Sequence, residues 1–318
     1  MAPPKVIVFG PTGGVGSVTA LTAQQRGAKV VLAMRDTQKP IPGLSPAQEQ
    51  DGGFERVQAD LTKPETIEAA VTQTGAKRAF VYLAFGAPDH MRAAITALKT
   101  AGIEFVVFLS STSVQGRGDD LRRYTPADFI PWQHAQVELV LEELFGPDGF
   151  AAVRPAYFAS NLFTYKKAIA AGGPVKMPYP EAKFDYIAPE DIGRVSGTVL
   201  VDGPQAVAGG KNVIHLTGPQ LLPQGDVIVM IGKALGKDLK VEKISDDEEA
   251  VKFLTEAQHV PEIIAKQLVQ GFKAVAGGQE VLPAGFMEEA VANAEKYGRR
   301  PATKVQEWVE ANKDKFAA

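Results

Sequence analysis

The sequence predicts an α/β fold with a doubly wound parallel sheet, followed by a smaller, mainly helical C-terminal part. Three observations predict it: a glycine-rich loop follows the first apolar run, the first half alternates short apolar runs with amphipathic stretches, and Gly- and Pro-rich loops replace this alternation after Pro155. Such alternation is typical of parallel strands that are joined by crossover helices.

Six short apolar segments are predicted to be the strands of the sheet. In chain order they are "KVIVFG", "KVVLAM", "FERVQAD", "RAFVYLA", "FVVFLSS" and "FAAVRP". The predicted helices between them include "SVTALTAQQRG", "KPETIEAAVTQTG" and "DHMRAAITALKTAG". Each of these stretches ends at a glycine, which is the residue that helix C-termini prefer.

The chain is predicted to divide at Pro155. Residues 1–155 form the sheet domain, and residues 156–318 form a C-terminal part in which helices such as "DDEEAVKFLTEAQ" follow one another without strands. Such a part normally covers the carboxyl ends of the strands and shapes a substrate pocket there. "DYIAPEDIGRVSGTVL" and "NVIHLTG" predict a helix and a strand that return to the first domain near residues 184–217, so the boundary is predicted to be discontinuous.

Composition favours a protein that acts on a small molecule. The chain has 34 basic and 37 acidic residues, a net charge of −3, and no long block of like charge that would indicate binding to nucleic acid or an anionic membrane. The absence of cysteine excludes disulfides and thiolate chemistry, and the four histidines are too far apart in sequence for a metal motif. We find no signal peptide and no apolar run of membrane-spanning length, and therefore expect a soluble, cytoplasmic protein.

The loop in "VIVFGPTGGVGSVTA" has the spacing of a dinucleotide-binding turn. Gly10, Gly13 and Gly16, with Thr12 and Val15 between them, stand between the first strand and the first helix. Glycines at these positions allow a tight turn and let backbone amides and the helix dipole reach a pyrophosphate, as in a Rossmann fold. The alternative is an ordinary strand-to-helix turn that binds nothing.

Two charged positions bear on which dinucleotide is bound. Arg35, after the second strand, offers a planar cation suited to a 2′-phosphate, which favours NADP(H) over NAD(H). Asp36 leaves NAD(H) open, because a carboxylate can take the ribose hydroxyls, and the alternative for both residues is that they are solvated loop charges. Asp60 and Leu61, after the third strand, are placed near the adenine, and Asp60 could instead be the N-cap of the next helix.

The ends of the fourth and fifth strands are predicted to line the nicotinamide side of the crevice. Ala84 and Phe85 follow the fourth strand, and Ser110 to Thr112 follow the fifth, with Thr112 expected in the substrate pocket. Small and hydroxylated side chains suit that place, although any strand end can carry them.

Several motifs together resemble the NmrA-like branch of the atypical short-chain dehydrogenase/reductases. They are "GPTGGVG", "AMRD", "SSTSV", "RPAYFASNL", "YIAPEDIG" and "GRRPATKVQEWVEANKDKF", in the order of the family and over nearly the whole chain. The resemblance implies a Rossmann domain that prefers NADP(H), a smaller C-terminal domain, and usually a lysine where this chain has His134. Such proteins range from redox-sensing regulators without turnover to isoflavone-type reductases, and fungal clavine-alkaloid enzymes that reduce an iminium are similar too.

The segment "IPWQHAQVE" has Ile130 and His134 where a short-chain reductase would have its Tyr-x-x-x-Lys pair. His134 is predicted in the first turn of a helix, one turn before Glu138. It is either a partly buried histidine that Glu138 or a backbone group satisfies, or a residue that binds the nicotinamide ribose or donates a proton. Reduction of a ketone needs a proton donor, whereas reduction of an iminium does not, so the missing pair favours an iminium or an activated conjugated acceptor.

Further side chains are candidates for the substrate site. Tyr124 and Tyr157 are possible catalytic groups, and the pocket is expected to contain Trp132, Phe158, Asn161 and Tyr165. For the aromatic residues the alternative is an ordinary place in the core.

Three functions remain open from the sequence. The first is an NADPH-dependent reductase of a small, secondary-metabolite-like substrate, with hydride transfer to an iminium or conjugated acceptor. The second is an NADP(H)-sensing regulator that docks a protein partner without turnover. In the third, the protein binds the cofactor but catalyses an isomerisation or a cyclisation of its substrate.

Overall fold

A computed structural model describes residues 3–115, 120–257, 259–279 and 285–317. The chain divides into two compact units. Unit 1 consists of Met1–Pro155, Pro189–Leu216 and Ala292–Pro301, and unit 2 of Ala156–Ala188, Thr217–Val291 and Ala302–Ala318.

The strands and helices follow one another in an order that starts with regular β–α alternation. The strands are β1 Lys5–Phe9, β2 Lys29–Met34, β3 Glu55–Gln58, β4 Arg78–Tyr82, β5 Phe105–Leu109, β6 Phe150–Pro155, β7 Val175–Pro178, β8 Lys183–Phe184, β9 Val213–Leu216, β10 Leu222–Pro223 and β11 Val241–Ile244. The α-helices are α1 Gly14–Gln25, α2 Pro46–Asp51, α3 Pro64–Thr74, α4 Arg92–Thr100, α5 Phe129–Phe145, α6 Lys166–Ala171, α7 Pro189–Asp202, α8 Gln224–Ala234, α9 Asp247–Lys252, α10 Glu262–Ala276, α11 Phe286–Gly298 and α12 Val305–Ala317.

Unit 1 contains a parallel sheet that, within the described residues, has seven strands in the order β3-β2-β1-β4-β5-β6-β9. Each pair of neighbours is parallel, and the register aligns Val8 of β1 with Leu32 of β2 on one side and with Phe80 of β4 on the other. The strand order reverses direction at β1, and ligands of such sheets bind at that switch point, beyond the carboxyl ends of the strands. The predicted α/β class with a doubly wound parallel sheet is confirmed.

Helices cover both faces of this sheet. α3, α4 and α5 pack on the face that carries Ile7 and Phe9 of β1, and Ile95 of α4 is fully buried in that core. α1 and α7 pack against each other and contact strands of the sheet. The α1–α7 approach is close because α7 has glycines at its contact with α1: a Cβ at Gly193 would lie 2.5 Å from Cβ of Val18.

The predicted helix ends are visible in the backbone. Gly27, Gly75 and Gly102 follow the ends of α1, α3 and α4, and each has a positive φ that glycine adopts without strain.

Unit 2 is smaller and mainly helical, with two small two-stranded sheets in the described residues. β8 pairs antiparallel with β10, and β7 pairs parallel with β11. Its larger core packs side chains of α6, α8 and α12 together, including Ile169, Ile228 and Trp308. A second cluster contains Phe272 of α10 and Leu254.

Across the described ranges, no helix is both long enough and apolar enough to span a bilayer.

Candidate functional site

The loop between β1 and α1 leaves the amino end of α1 uncovered. Gly13 is the N-cap of α1 and supplies no side-chain hydrogen bond, and the first-turn amides of a helix have no partner within the helix. Thr12, Gly13 and Gly14 are exposed, whereas Val15 is buried. Exposed amides at the positive end of a helix dipole suit a pyrophosphate.

The three glycines of this loop have different roles. Gly10 has φ +68°, and a Cβ there would lie 2.6 Å from Cε1 of Tyr82. A Cβ on Gly16 would lie 2.2 Å from the Gly10 carbonyl oxygen. At Gly13 the nearest atom to a Cβ is 3.5 Å away, an ordinary contact. The fold therefore requires Gly10 and Gly16, and Gly13 only keeps the helix amino end uncovered.

Arg35 directly follows β2 and is exposed. Its carbonyl oxygen accepts a hydrogen bond of 3.1 Å from the Gln58 amide side chain. Its guanidinium forms no ion pair with the residues that the structure describes. Asp36 accepts a hydrogen bond of 3.0 Å from the Gln38 amide, so its carboxylate is engaged in its own turn. Arg35 is thus the more available of the two charges.

Asp60 closes a turn after β3. Its carboxylate accepts from the Thr62 amide at 2.9 Å and from the Thr62 hydroxyl at 2.8 Å. The hydrogen bond from the Thr62 amide is the main cause that lowers the pKa of Asp60, and Arg35 contributes in the same direction. Lys63 holds the N-cap position of α3, so Asp60 is not that cap. The neighbouring Leu61 is buried.

Tyr82 lies beside the glycine loop and was not predicted from the sequence. It is the last residue of β4 and is 37% exposed, while Val81 and Leu83 beside it are buried. Its ring lies against the backbone of Gly10. The signal in the sequence was a tyrosine directly after the apolar residues 79–81 of the strand "RAFVY".

A buried ion pair lies behind the ends of β5 and β6. Arg154 donates to both oxygens of Glu138, from Nε to Oε1 at 2.9 Å and from Nη2 to Oε2 at 2.5 Å. The Ser110 hydroxyl donates to Oε1 of Glu138 at 2.5 Å, and the Thr112 hydroxyl donates to the Arg154 carbonyl at 2.7 Å. Ser110 and Thr112 are both buried, so their hydroxyls are used inside unit 1.

His134 lies on α5 and is only 8% exposed. Its ring centroid is 6.3 Å from that of Phe85 and 6.0 Å from that of Phe108. Nδ1 is buried without a hydrogen-bond partner among the described residues, because Arg154 and Ser110 occupy the Glu138 carboxylate. Burial, helped by the positive charge of Arg154, lowers the pKa of His134 to about 3, so the imidazole is neutral at pH 7.

The loop after β4 approaches the beginning of α5. The Ala84 amide donates to Sδ of Met91 at 3.2 Å, and Phe85 is 53% exposed. Nδ1 of His90 lies 3.3 Å from Oε1 of Gln133, and its ring meets Trp132 edge-on at 4.5 Å. Trp132 is therefore engaged by His90.

Tyr124 is buried, and its hydroxyl donates to the Ser113 carbonyl at 3.3 Å. It packs in a small cluster with Val114 and Ala135, against which Trp132 also lies.

Four further candidates, Tyr157, Phe158, Asn161 and Tyr165, lie in unit 2. The ring of Tyr157 stacks on Phe184 at 4.1 Å. Burial raises the pKa of the Tyr157 phenol, and a hydrogen bond with Asn161 acts in the opposite direction. Phe158 forms a bridge with Ile187, and Tyr165 is buried.

Asp185 of unit 2 was not predicted from the sequence either. This buried carboxylate accepts from the Tyr157 amide at 3.1 Å and from the Gly218 amide at 3.0 Å. Burial raises its pKa to about 6. A buried aspartate without an alternating pattern around it gives no sequence signal.

Known proteins match this chain over nearly its whole length. The family described as the NmrA-like family matches residues 3–308. The nitrogen metabolite regulation-like protein bik4 of Gibberella fujikuroi is 41% identical over 96% of this chain and 95% of that protein. The NAD(P)H azoreductase of Xenophilus azovorans is 27% identical over 98% of this chain and 99% of that protein. Among solved structures, the NADPH-dependent quinone oxidoreductase QOR2 of Escherichia coli, complexed with NADPH, has a TM-score of 0.67 at 18% identity and covers 96% of this chain and 99% of that one.

Proposed function

Since the chain belongs to the NmrA-like family, we propose that it is an NADPH-dependent reductase of a small organic substrate whose reduction needs no proton from a protein side chain. An azoreductase relative and the fold shared with an NADPH-dependent quinone oxidoreductase support a reductase. We propose further that the group which accepts the hydride is an iminium or a conjugated double-bond system.

The residues present fit NADP(H). The uncovered amino end of α1 would hold the pyrophosphate, and the exposed Arg35 would pair with the 2′-phosphate. Asp60 and Leu61 would lie at the adenosine half, and Ala84 and Phe85 at the nicotinamide half. When bound, NADPH supplies a hydride.

The observation that carries the proposal is the environment of His134. A general acid must hold a proton near the working pH, and the pKa of His134 is lowered to about 3. Glu138 cannot restore the proton, because its carboxylate already binds Arg154 and Ser110. His134 would then be a packed, neutral wall of the site.

The tyrosines proposed as catalytic groups are also poorly suited to give up a proton. The Tyr124 hydroxyl donates to the carbonyl of Ser113. Burial raises the pKa of Tyr157, which makes its phenol a weaker acid than a tyrosine in water. An acceptor that becomes neutral on reduction, or whose charge spreads over a conjugated system, needs less of such help than a plain ketone.

The test is a panel of acceptors with the purified protein. We expect NADPH to be consumed with cyclic iminium ions, enones or quinones, and much more slowly with simple ketones of similar size. The Gly13→Val variant is the matched control, because its cofactor site is expected to be blocked while the surrounding fold has room for a Cβ. Absence of turnover with every iminium and conjugated acceptor, or a clear preference for ketones, would reject the proposal.

A second function is favoured by the name of the relative that is 41% identical, a nitrogen metabolite regulation-like protein. In this alternative the chain binds NADP(H) and reports its redox state to a protein partner. A defined partner whose affinity changes with the NADP+ to NADPH ratio, together with no turnover across the acceptor panel, would favour it.

A further inference from the structure

We propose that Tyr82 is the stacking surface for the adenine of NADP(H). The proposal rests on the cofactor binding inferred above and not on any turnover. It assigns a positioning role in cofactor recognition to a residue at the end of β4.

The first support is the position of Tyr82 in the sheet. β1 and β4 are parallel neighbours at the point where the strand order reverses, with Val8 opposite Phe80. Continuing this register by two residues brings Gly10 next to Tyr82. The ring therefore lies directly beside the glycine loop, where doubly wound sheets bind their ligands.

The second support is the fit between the ring and Gly10. A Cβ on Gly10 would lie 2.6 Å from Cε1, 3.2 Å from Cδ1 and 3.3 Å from Cζ of Tyr82. Any side chain at Gly10 would thus displace the ring. The glycine is needed for the ring as well as for the turn, which has φ +68° there.

The third support is the partial exposure of the ring. At 37% exposed, Tyr82 is with Phe85 one of two exposed aromatic residues among the large hydrophobic residues that the structure describes in unit 1. A strand end in the interior of a sheet would ordinarily bury such a ring. A partly exposed aromatic ring at the edge of the sheet where ligands bind suits a flat apolar group. Every nucleobase has a π-face that can stack on such a ring.

The fourth support is the charge around the phenol. Arg35, from the end of β2, and Asp60, from the end of β3, both act on Tyr82 electrostatically. Burial is the main cause that raises the pKa of the phenol, Arg35 lowers this pKa and Asp60 raises it. The cation proposed for the 2′-phosphate and the carboxylate expected near the adenine therefore both lie close enough to Tyr82 to act on its phenol. A phosphorylated adenosine would meet all three groups at once.

The test uses 2′,5′-ADP, which contains the adenosine half of NADP and no nicotinamide, with titration calorimetry on the full chain. Tyr82→Leu keeps apolar packing against Gly10 but removes the aromatic face, and Tyr82→Phe keeps the face. We expect Tyr82→Leu to bind 2′,5′-ADP roughly tenfold more weakly or worse, and Tyr82→Phe to stay within about threefold of the wild type.

The matched control is Tyr297→Leu. Tyr297 lines a surface cleft with Asp202, the last residue of α7. The carbonyl of Leu200, in the same last turn of α7, accepts a hydrogen bond from Arg78, which begins β4, so this cleft lies at the amino ends of the strands. We expect wild-type affinity for this variant, with circular dichroism and thermal unfolding confirming that each variant is folded.

Three results would overturn the proposal. They are wild-type affinity of a folded Tyr82→Leu, equal losses in Tyr82→Leu and Tyr82→Phe, and no binding of 2′,5′-ADP by the wild type. Absence of turnover in the acceptor panel leaves the proposal standing, because this titration requires no reaction. The two proposals therefore fail separately.

Discussion

His134 is buried on α5, and its Nδ1 has no hydrogen-bond partner among the described residues. The sequence places it one turn before Glu138, which left open that the carboxylate satisfies the imidazole. In the structure Glu138 binds Arg154 and Ser110 instead, from the ends of β6 and β5. Helical periodicity gives the neighbours of a residue along its own helix, but it does not give the partners that neighbouring strands bring to it.

The buried, neutral state of His134 predicts a dependence of stability on pH. The folded-state pKa of about 3 lies below the value near 6.5 that is usual for histidine, so the unfolded chain binds the additional proton between these pH values. This part of the free energy of unfolding is present above pH 6.5 and is lost as the pH falls toward 3. At about 1.4 kcal/mol per pKa unit, the loss amounts to a few kcal/mol.

Urea unfolding of the wild type and of His134→Leu between pH 4 and pH 8 measures this contribution. We expect the difference between the two proteins to shift in favour of the variant as the pH falls. A difference that stays constant over this range would mean that His134 is protonated as easily in the fold as in water.

Arg35 predicts the choice of cofactor. Its exposed guanidinium has no carboxylate partner among the described residues, so it is free to pair with a 2′-phosphate. Arg35→Ala should weaken NADPH binding by about 1.5 to 3 kcal/mol and leave NADH binding nearly unchanged. Calorimetric titration with both cofactors checks this, with Arg300→Ala as an exposed control; equal losses for both would discard the assignment.

At the scale of elements, the sequence predicted where strands and helices end more completely than it predicted the contacts between them. The glycines after α1, α3 and α4 predicted the helix ends, and the loop before α1 predicted the turn between β1 and α1. Tyr82 was missed because its contact with Gly10 depends on β1 and β4 being neighbours, although β2 and β3 lie between them in sequence. Local patterns carry no information on such pairings.

The glycine loop predicts that binding and folding can be separated. Gly13→Val should abolish NADPH binding, because the side chain would cover the amino end of α1, while the thermal midpoint stays near that of the wild type. Gly16→Ala should lower the thermal midpoint, since a Cβ there would lie 2.2 Å from the Gly10 carbonyl oxygen. Strong residual NADPH binding by a folded Gly13→Val would mean that the loop is only a turn.

At the scale of the whole molecule, the chain crosses several times from one unit to the other. Asp185 accepts hydrogen bonds from two segments of unit 2 that lie close in sequence to such crossings. It accepts from Tyr157, two residues after Pro155, and from Gly218, two residues after Leu216. The motifs after Pro155 indicated that the chain returns to the sheet, but the carboxylate that joins these segments could not be predicted, because its partners are 28 and 33 residues away.

The raised pKa of Asp185 predicts that its contribution to the free energy of unfolding changes with pH in the opposite direction to that of His134. Its folded-state pKa of about 6 lies above the usual 3.8, so the fold retains the proton longer than the unfolded chain does. The stability that this group contributes is present below pH 3.8 and is lost as the pH rises to about 6. The free energy of unfolding of the wild type, relative to Asp185→Asn, should therefore be higher at pH 4 than at pH 8; a difference that is independent of pH would contradict this.

The central claim, reduction without a protein acid, is tested most directly by turnover of an iminium acceptor with NADPH from pH 6 to pH 9. The proteins to compare are the wild type, His134→Ala and His134→Lys. The account predicts that His134→Ala changes the turnover rate only modestly and that any pH dependence follows protonation of the substrate imine. A loss of about a hundredfold or more in His134→Ala, with rescue in His134→Lys, would contradict it and assign a proton-transfer role to His134.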